Sequence, residues 1–175
     1  MGALRILLTG LPECGKTTAI RGIVERLAGV KVAGFYTEEI RVGGVRKGFK
    51  WKRLDGAEGV LAHVDIKSKA RVGKYGVDVA GFERDVVRVI ERLKGEAEVF
   101  IIDEIGKMEC LSEKFVELVR GLWEAEADIV ATAAKKGGGF IAEVKGWPGA
   151  RIIEVTRANQ EQIVSDAVSR LREGS

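Results

Sequence analysis

The sequence is poor in the residues that build metal centres and disulfide frameworks. It has two cysteines and one histidine in 175 residues. Cys14 and Cys110 form no CxxC pattern, which argues against structural zinc and against a disulfide scaffold. A lone His63 leaves no room for a histidine metal cluster or a histidine-based triad, and it is read as a surface strand residue. No apolar run approaches the length of a membrane span, and Met1 to Arg5 lead into a short strand rather than a signal sequence. The expected location is therefore the cytoplasm, without a membrane partner. Neither sign of charge dominates: 29 Lys and Arg face 26 Asp and Glu, a net +3, so charge alone does not call for a nucleic-acid partner. Side-chain amides are confined to Asn159, Gln160 and Gln162, which with abundant Glu, Lys and Arg hints at a thermophilic host.

What the chain does contain is phosphate chemistry. Gly10-Leu11-Pro12-Glu13-Cys14-Gly15-Lys16-Thr17-Thr18 follows the apolar run Ile6-Leu7-Leu8 and precedes Ile20, Ile23, Val24 and Leu27 at helical spacing. Strand, glycine-rich loop and helix in that order make a Walker A loop. Its backbone N–H groups and the following helix end cradle phosphate oxygens. Lys16 reaches the β- and γ-phosphates, and the Thr17 hydroxyl is placed to ligate Mg²⁺. Glu13 is expected to face solvent, because a carboxylate turned inward would repel phosphate. Cys14 beside a helix N-terminus can be a reactive thiol; the adopted reading is a small residue that fits.

Further along, Val99-Phe100-Ile101-Ile102 is a short continuous apolar run, as expected of a strand buried on both faces of a parallel sheet. It delivers Asp103-Glu104 to its carboxyl end, a Walker B pattern. Asp103 is expected to hold Mg²⁺ through its water shell, and Glu104 to orient or deprotonate the attacking water. The following Ile105-Gly106-Lys107-Met108-Glu109 is read as a loop at the same sheet edge.

The remaining expectations concern organisation. Val32 to Thr37 reads as a strand, and Arg41 to Leu54 as a hairpin turning at Gly43-Gly44. In that hairpin Phe49 and Trp51 share one face and Lys50 and Lys52 the other, a pattern that suits single-stranded nucleic acid or, more simply, a half-buried edge strand. Arg71 and Lys74, and Lys135 and Lys136, are cations that can reach phosphate or lie in solvated loops. Phe82, Val86, Val89, Ile90 and Leu93 predict one helix, and Leu111 to Leu122 another capped by Ser112. Asn159 with Gln162 predicts a capping box on the last helix. The whole of 1–175 is read as one α/β P-loop domain, with a mainly parallel sheet, helices on both faces and a β-hairpin insertion. With no heptad or large apolar stripe, a monomer is expected.

The ordered set of motifs resembles the THEP-type nucleoside-triphosphatases, whose human member is called cancer-related nucleoside-triphosphatase. The resemblance runs from Arg5 to about Leu171. Besides Gly10 to Thr18 it includes Gly34-Phe35-Tyr36-Thr37-Glu38-Glu39, Gly48-Phe49, Leu54-Asp55-Gly56, Arg71 to Tyr75, and Ile102 to Glu109. It implies a RecA-like or kinase-like sheet and Mg²⁺-dependent hydrolysis of nucleoside triphosphates with broad tolerance for the base. Lys16 and Thr17 would bind phosphate and metal, Asp103 the metal, and Glu104 would activate water, with Ile102 to Lys107 as a second nucleotide-facing stretch. The sequence departs from the family pattern at Glu13, where glycine commonly sits. Two other classes use the same cradle: a kinase passing the γ-phosphoryl to a small acceptor, and a nucleotide-controlled module binding RNA or protein.

Overall fold

The structure is a computed structural model and describes residues 2–174. Nine strands form one sheet in the order β5-β6-β4-β3-β2-β7-β8-β1-β9. They are β1 (Arg5–Gly10), β2 (Val32–Val42), β3 (Val45–Arg53), β4 (Glu58–His63), β5 (Arg71–Val72), β6 (Tyr75–Val77), β7 (Val99–Ile105), β8 (Asp128–Ala134) and β9 (Arg151–Glu154). The neighbours β2, β7, β8, β1 and β9 run parallel. The strand β8 separates the strand that feeds the glycine-rich loop from the one that ends in Asp103. That separation marks the RecA-like arrangement; in a kinase-like sheet the two strands are neighbours.

Strand alternation explains why both faces are covered. Leu7, Phe100, Ile102 and Ala131 point to one core with Phe35, Phe82 and Phe115. Ile6, Leu8, Val99, Ile101 and Val130 point to the other, against Ile20, Ile23, Ile163 and Leu171. A strand buried on both sides needs apolar residues at every position, which is why the run 99–102 shows no alternation. Helices α1 (Lys16–Arg26) and α6 (Gln160–Glu173) cover the second face. The first is covered by α2 (Val79–Phe82), α3 (Arg88–Arg92), α4 (Glu113–Glu124) and α5 (Gly139–Lys145). Its centre is a ring cluster in which Phe35 meets Phe82 at 5.5 Å and Phe115 at 6.1 Å.

Three elements differ from the sequence expectation. The helix predicted through Phe82 and Leu93 is split by a π-helical segment, Glu83–Val87. The wider turn adds a residue, so Val87 joins Val86 in the core while Val89 is only half-buried. The hairpin is not a separate insertion: β2 pairs parallel with β7 over Val32–Phe35, then continues past it as the first arm of the hairpin. The turn at Gly43-Gly44 has positive φ at both residues, 56° and 78°, as a tight primed turn requires. β3 to β6 then extend the same sheet antiparallel. Finally, the basic loop after β8 runs into α5, a helix not expected from the sequence, which buries Ile141 and Val144.

Ser112 caps α4 as expected, accepting from the Phe115 N–H at 3.0 Å, and its own hydroxyl donates to Glu83 at 2.7 Å. Asn159 does not cap α6. Its side chain folds back instead, accepting from the Thr156 N–H and donating to the Glu154 carbonyl, so it closes the turn after β9. The expected partner Gln162 donates to Asp166 one turn on.

Candidate active site

The carboxyl ends of the parallel strands meet the overshooting arm of β2 at a cleft of about 330 Å³. It is lined by the loop residues Pro12, Glu13, Gly15, Lys16, Thr17 and Thr18. Thr37, Glu38 and Glu39 of β2, Phe49 of β3, and Asp103 and Glu104 complete it. A larger cleft of about 640 Å³ lies between the split helix and α4; its lining is Ala80, Leu118 and mostly charged residues, with none from the glycine-rich loop. Size alone therefore does not identify the site; the chemistry of the lining does.

The loop between β1 and α1 is shaped by backbone geometry. Gly15 has φ 99°, and a Cβ there would sit 2.4 Å from the Gln160 amide nitrogen. Gln160 donates to the Gly15 carbonyl at 2.8 Å, tying the last helix to the loop across most of the chain. Glu13 also has positive φ, 60°, the one such non-glycine among the described residues. A side chain in that region costs on the order of 1 kcal/mol. Its carboxylate points outward, 69% exposed and 3.8 Å from the Arg41 guanidinium. Cys14 packs with the second core cluster, the fitting role expected of it. Lys16 is folded onto its own loop, donating to the carbonyls of Gly10 at 3.1 Å and Leu11 at 3.2 Å. Leu11 and Thr18 are exposed.

Asp103 is the fixed point of the cleft. Two residues after Ile101 it faces the α1 side of the sheet, where Thr17 donates to one carboxylate oxygen at 2.7 Å and Thr132 of β8 to the other at 2.6 Å. Burial raises its pKa, while these two hydroxyls, Lys16 and the Thr37 N–H work in the opposite direction. Glu104 is half-buried, and its pKa is raised by burial and then by Asp103, with Lys16 opposing. Behind it lies Glu109, 4% exposed, which burial and the Glu104 charge push up to about 8. The two glutamates meet across Gly106: a Cβ there would stand 2.8 Å from a carboxylate oxygen of each. Burial likewise pushes the Cys110 thiol up to about 12, so it is no thiolate.

Of the stretch 102–107, only Asp103 and Glu104 line the cleft; Ile102 and Ile105 belong to the core, Gly106 is buried, and Lys107 is exposed. Arg71 donates to the carbonyls of Ile66 and Lys74 within its own hairpin region. Lys135 pairs with Glu154. Trp51 is a core residue, and Lys50 and Lys52 are shared between Glu38 and Glu58, which fits the structural reading of the hairpin. Sequence reasoning missed Thr132, Gln160, Glu38 and Glu39 as site residues. Thr132 left one signal, a lone hydroxyl in an otherwise apolar strand core.

A hard-oxygen pair such as Thr17 and Asp103 is the donor type that Mg²⁺ accepts while keeping several waters. Asp103, with each oxygen oriented by a hydroxyl and only 2% exposed, has the chemistry of that role.

A family model described as NTPase matches residues 5–168. The chain is 41% identical over 169 residues to nucleoside-triphosphatase THEP1 of Thermotoga maritima, covering 97% of this chain and 96% of that protein. It is 36% identical over 182 residues to the human cancer-related nucleoside-triphosphatase, covering 95% and 96%. The crystal structure of THEP1 from Aquifex aeolicus superposes with a TM-score of 0.88 at 39% identity, covering 96% of this chain and 99% of that one. The solution structure of the human protein gives 0.83 at 34% identity, with 99% and 100% covered.

Proposed function

Because this chain belongs to the nucleoside-triphosphatase family, we propose that it cleaves the terminal phosphate of nucleoside triphosphates in an Mg²⁺-dependent hydrolysis with Glu104 as the water-activating group. The substrates are the common ribonucleotides ATP, GTP, CTP and UTP, extending to deoxynucleotides, since the cleft lining offers loop, hydroxyl and carboxylate groups and a single ring, Phe49.

Lys16 exchanges the carbonyls of Gly10 and Leu11 for the β- and γ-phosphate oxygens, which are stronger acceptors for an ammonium. Thr17 and Asp103 would hold the metal, and Mg²⁺ bound there would supply neutralisation of charge on the transferring phosphoryl group. Glu104 accepts a proton from water at the cleft wall; burial, and then the neighbouring Asp103, make its carboxylate a stronger base than an exposed one, with Lys16 opposing. The observation that carries this reading is Asp103, pinned between Thr17 and Thr132, with Glu104 as its immediate neighbour in the same cleft.

Phosphate release from each triphosphate, with Mg²⁺ and no added acceptor, tests it. Glu104→Gln should retain nucleotide binding and lose about 10²- to 10⁴-fold in turnover. Unchanged release would remove Glu104 from the mechanism, and release that appears only with an added acceptor would identify a kinase.

A further inference from the structure

This inference rests on the hydrolytic reading above. The cleft is lined by five carboxylates, Glu13, Glu38, Glu39, Asp103 and Glu104, and by one lysine, Lys16. A triphosphate adds several negative charges of its own. Lys16 and a divalent metal alone do not balance that sum, so the cations at the cleft wall bear on binding and charge transfer.

The cations nearby differ in the group that holds them. Arg21, Lys50 and Lys52 surround Glu38, and the two lysines are shared with Glu58. Lys145 donates to the carbonyls of Ala134 and Lys135. Arg41 and Arg46, one on each arm of the β2–β3 hairpin, converge instead on the neighbouring cleft residue Glu39, and Arg41 also donates to the Gly44 carbonyl at 2.9 Å. Arg41 Nε and a terminal nitrogen both lie 2.7 Å from Glu39 Oε2, and Arg46 lies 2.9 Å from Oε1. Arg41 also reaches Glu13 at 3.8 Å, so its guanidinium spans the mouth from hairpin to phosphate loop. Arg46 lies over Phe49, 5.5 Å from the ring centre, and its Nε is buried without an acceptor. It is a donor with capacity left, next to a ring that lines the cleft.

We propose that Arg41 and Arg46 are in-chain phosphate-binding arginines that leave Glu39 and turn onto the terminal phosphate of a bound triphosphate. Guanidinium forks match phosphate oxygens bidentately, and an arginine on the transferring group stabilises the charge of the transition state. Arg41, with its side chain 46% exposed, has room to make that turn.

The test compares wild type, Glu104→Gln, Arg41→Ala, Arg46→Ala, the double arginine variant and Arg71→Ala. It measures triphosphate hydrolysis with Mg²⁺ and the binding of ADP alone and of ADP with aluminium fluoride. Each single arginine variant should lose at least about tenfold in kcat and the double at least about a thousandfold, the low end of an arginine's known effect on such transfer. ADP affinity should stay within about threefold of wild type, and the aluminium fluoride complex should be lost, a split that simple damage to the fold does not produce. Arg71→Ala should match wild type. A double variant that keeps its kcat within about threefold, or one whose ADP affinity falls as far as its kcat, overturns the proposal. Should wild type release no phosphate from any triphosphate, the hydrolytic reading itself fails. An active wild type, an inactive Glu104→Gln and a fully active double arginine variant would refute only the arginine assignment.

Discussion

Glu109 is a carboxyl group that the proposed reaction does not use, and it should be visible in the pH dependence of stability. In the unfolded chain it titrates near 4.5; in the folded protein burial and Glu104 push it up to about 8. Between those values the folded state holds a proton that the unfolded state has released. Stability from this group is therefore complete below pH 4.5 and is lost as pH rises through 8. At about 1.4 kcal/mol per pH unit the loss is on the order of 5 kcal/mol, a large share of the 5–15 kcal/mol typical of a domain. Asp103 and Glu104, also raised by burial, slope the same way. Glu109→Gln keeps the shape and one oxygen for the N–H groups of Gly106 and residue 109, but cannot ionise. Melting in metal-free, nucleotide-free buffer should put the variant within about 3 °C of wild type at pH 5 and on the order of 10 °C above it at pH 9. A gap that does not change with pH, or a variant less stable at pH 9, would refute the assignment of a buried neutral carboxyl.

Two further substitutions probe the loop and the metal end of the cleft. Glu13→Gly removes the cost of φ 60° but frees the unfolded chain by about 0.4–1 kcal/mol, so melting should move by no more than about 3 °C. Removing a carboxylate from the cleft mouth should at the same time lower KM for triphosphate about threefold; a raised KM would mean that Glu13 serves binding through Arg41. Thr132→Val leaves one oxygen of a buried carboxylate without its donor, at a cost of about 1–3 kcal/mol. It should also raise the Mg²⁺ concentration for half-maximal phosphate release by about tenfold, as losses around a metal ligand do; an unchanged metal titration would separate Thr132 from the metal site.

What was legible in the sequence is what local chemistry dictates. The glycine-rich loop needs its residues at fixed spacing, and a strand buried on both faces needs an unbroken apolar run, so Gly10 to Thr18 and Val99 to Glu104 were readable from the chain alone. Ser112 was readable for the same reason, since a cap bonds within its own turn. Contacts made across the fold left little trace. Gln160 lies 145 positions from the carbonyl it holds, and Thr132 meets Asp103 only because β8 runs beside β7. The placement of β8 between the two functional strands is likewise a property of the sheet and not of any segment. The split helix escaped because a π turn keeps the apolar composition and shifts only its phase. Asn159 was misassigned because the side chain that caps a helix can equally close the turn before it, and the carbonyl of Glu154 competes for the same amide.

The overshoot of β2 gives the cleft two kinds of wall. Parallel strands end together, and what they present there is backbone and short polar groups: the loop N–H groups, Thr17, Thr132 and Asp103. They can grip phosphate and metal, but among the residues lining the cleft the one long cationic side chain is Lys16. The arm beyond Phe35 is antiparallel to β3 and stands outside the ends of its parallel neighbours, so it can carry long side chains over the bound group. On the proposed role of Arg41 and Arg46, Glu39 bears on turnover, because a free arginine pair at the mouth would hold the diphosphate or phosphate product as readily as the substrate. Bonded to both guanidinium groups, Glu39 gives the arginines an internal anion to return to once the terminal phosphate has left. Product retention then competes against an ion pair already built into the hairpin, and the acidic lining of the cleft becomes the means of emptying it.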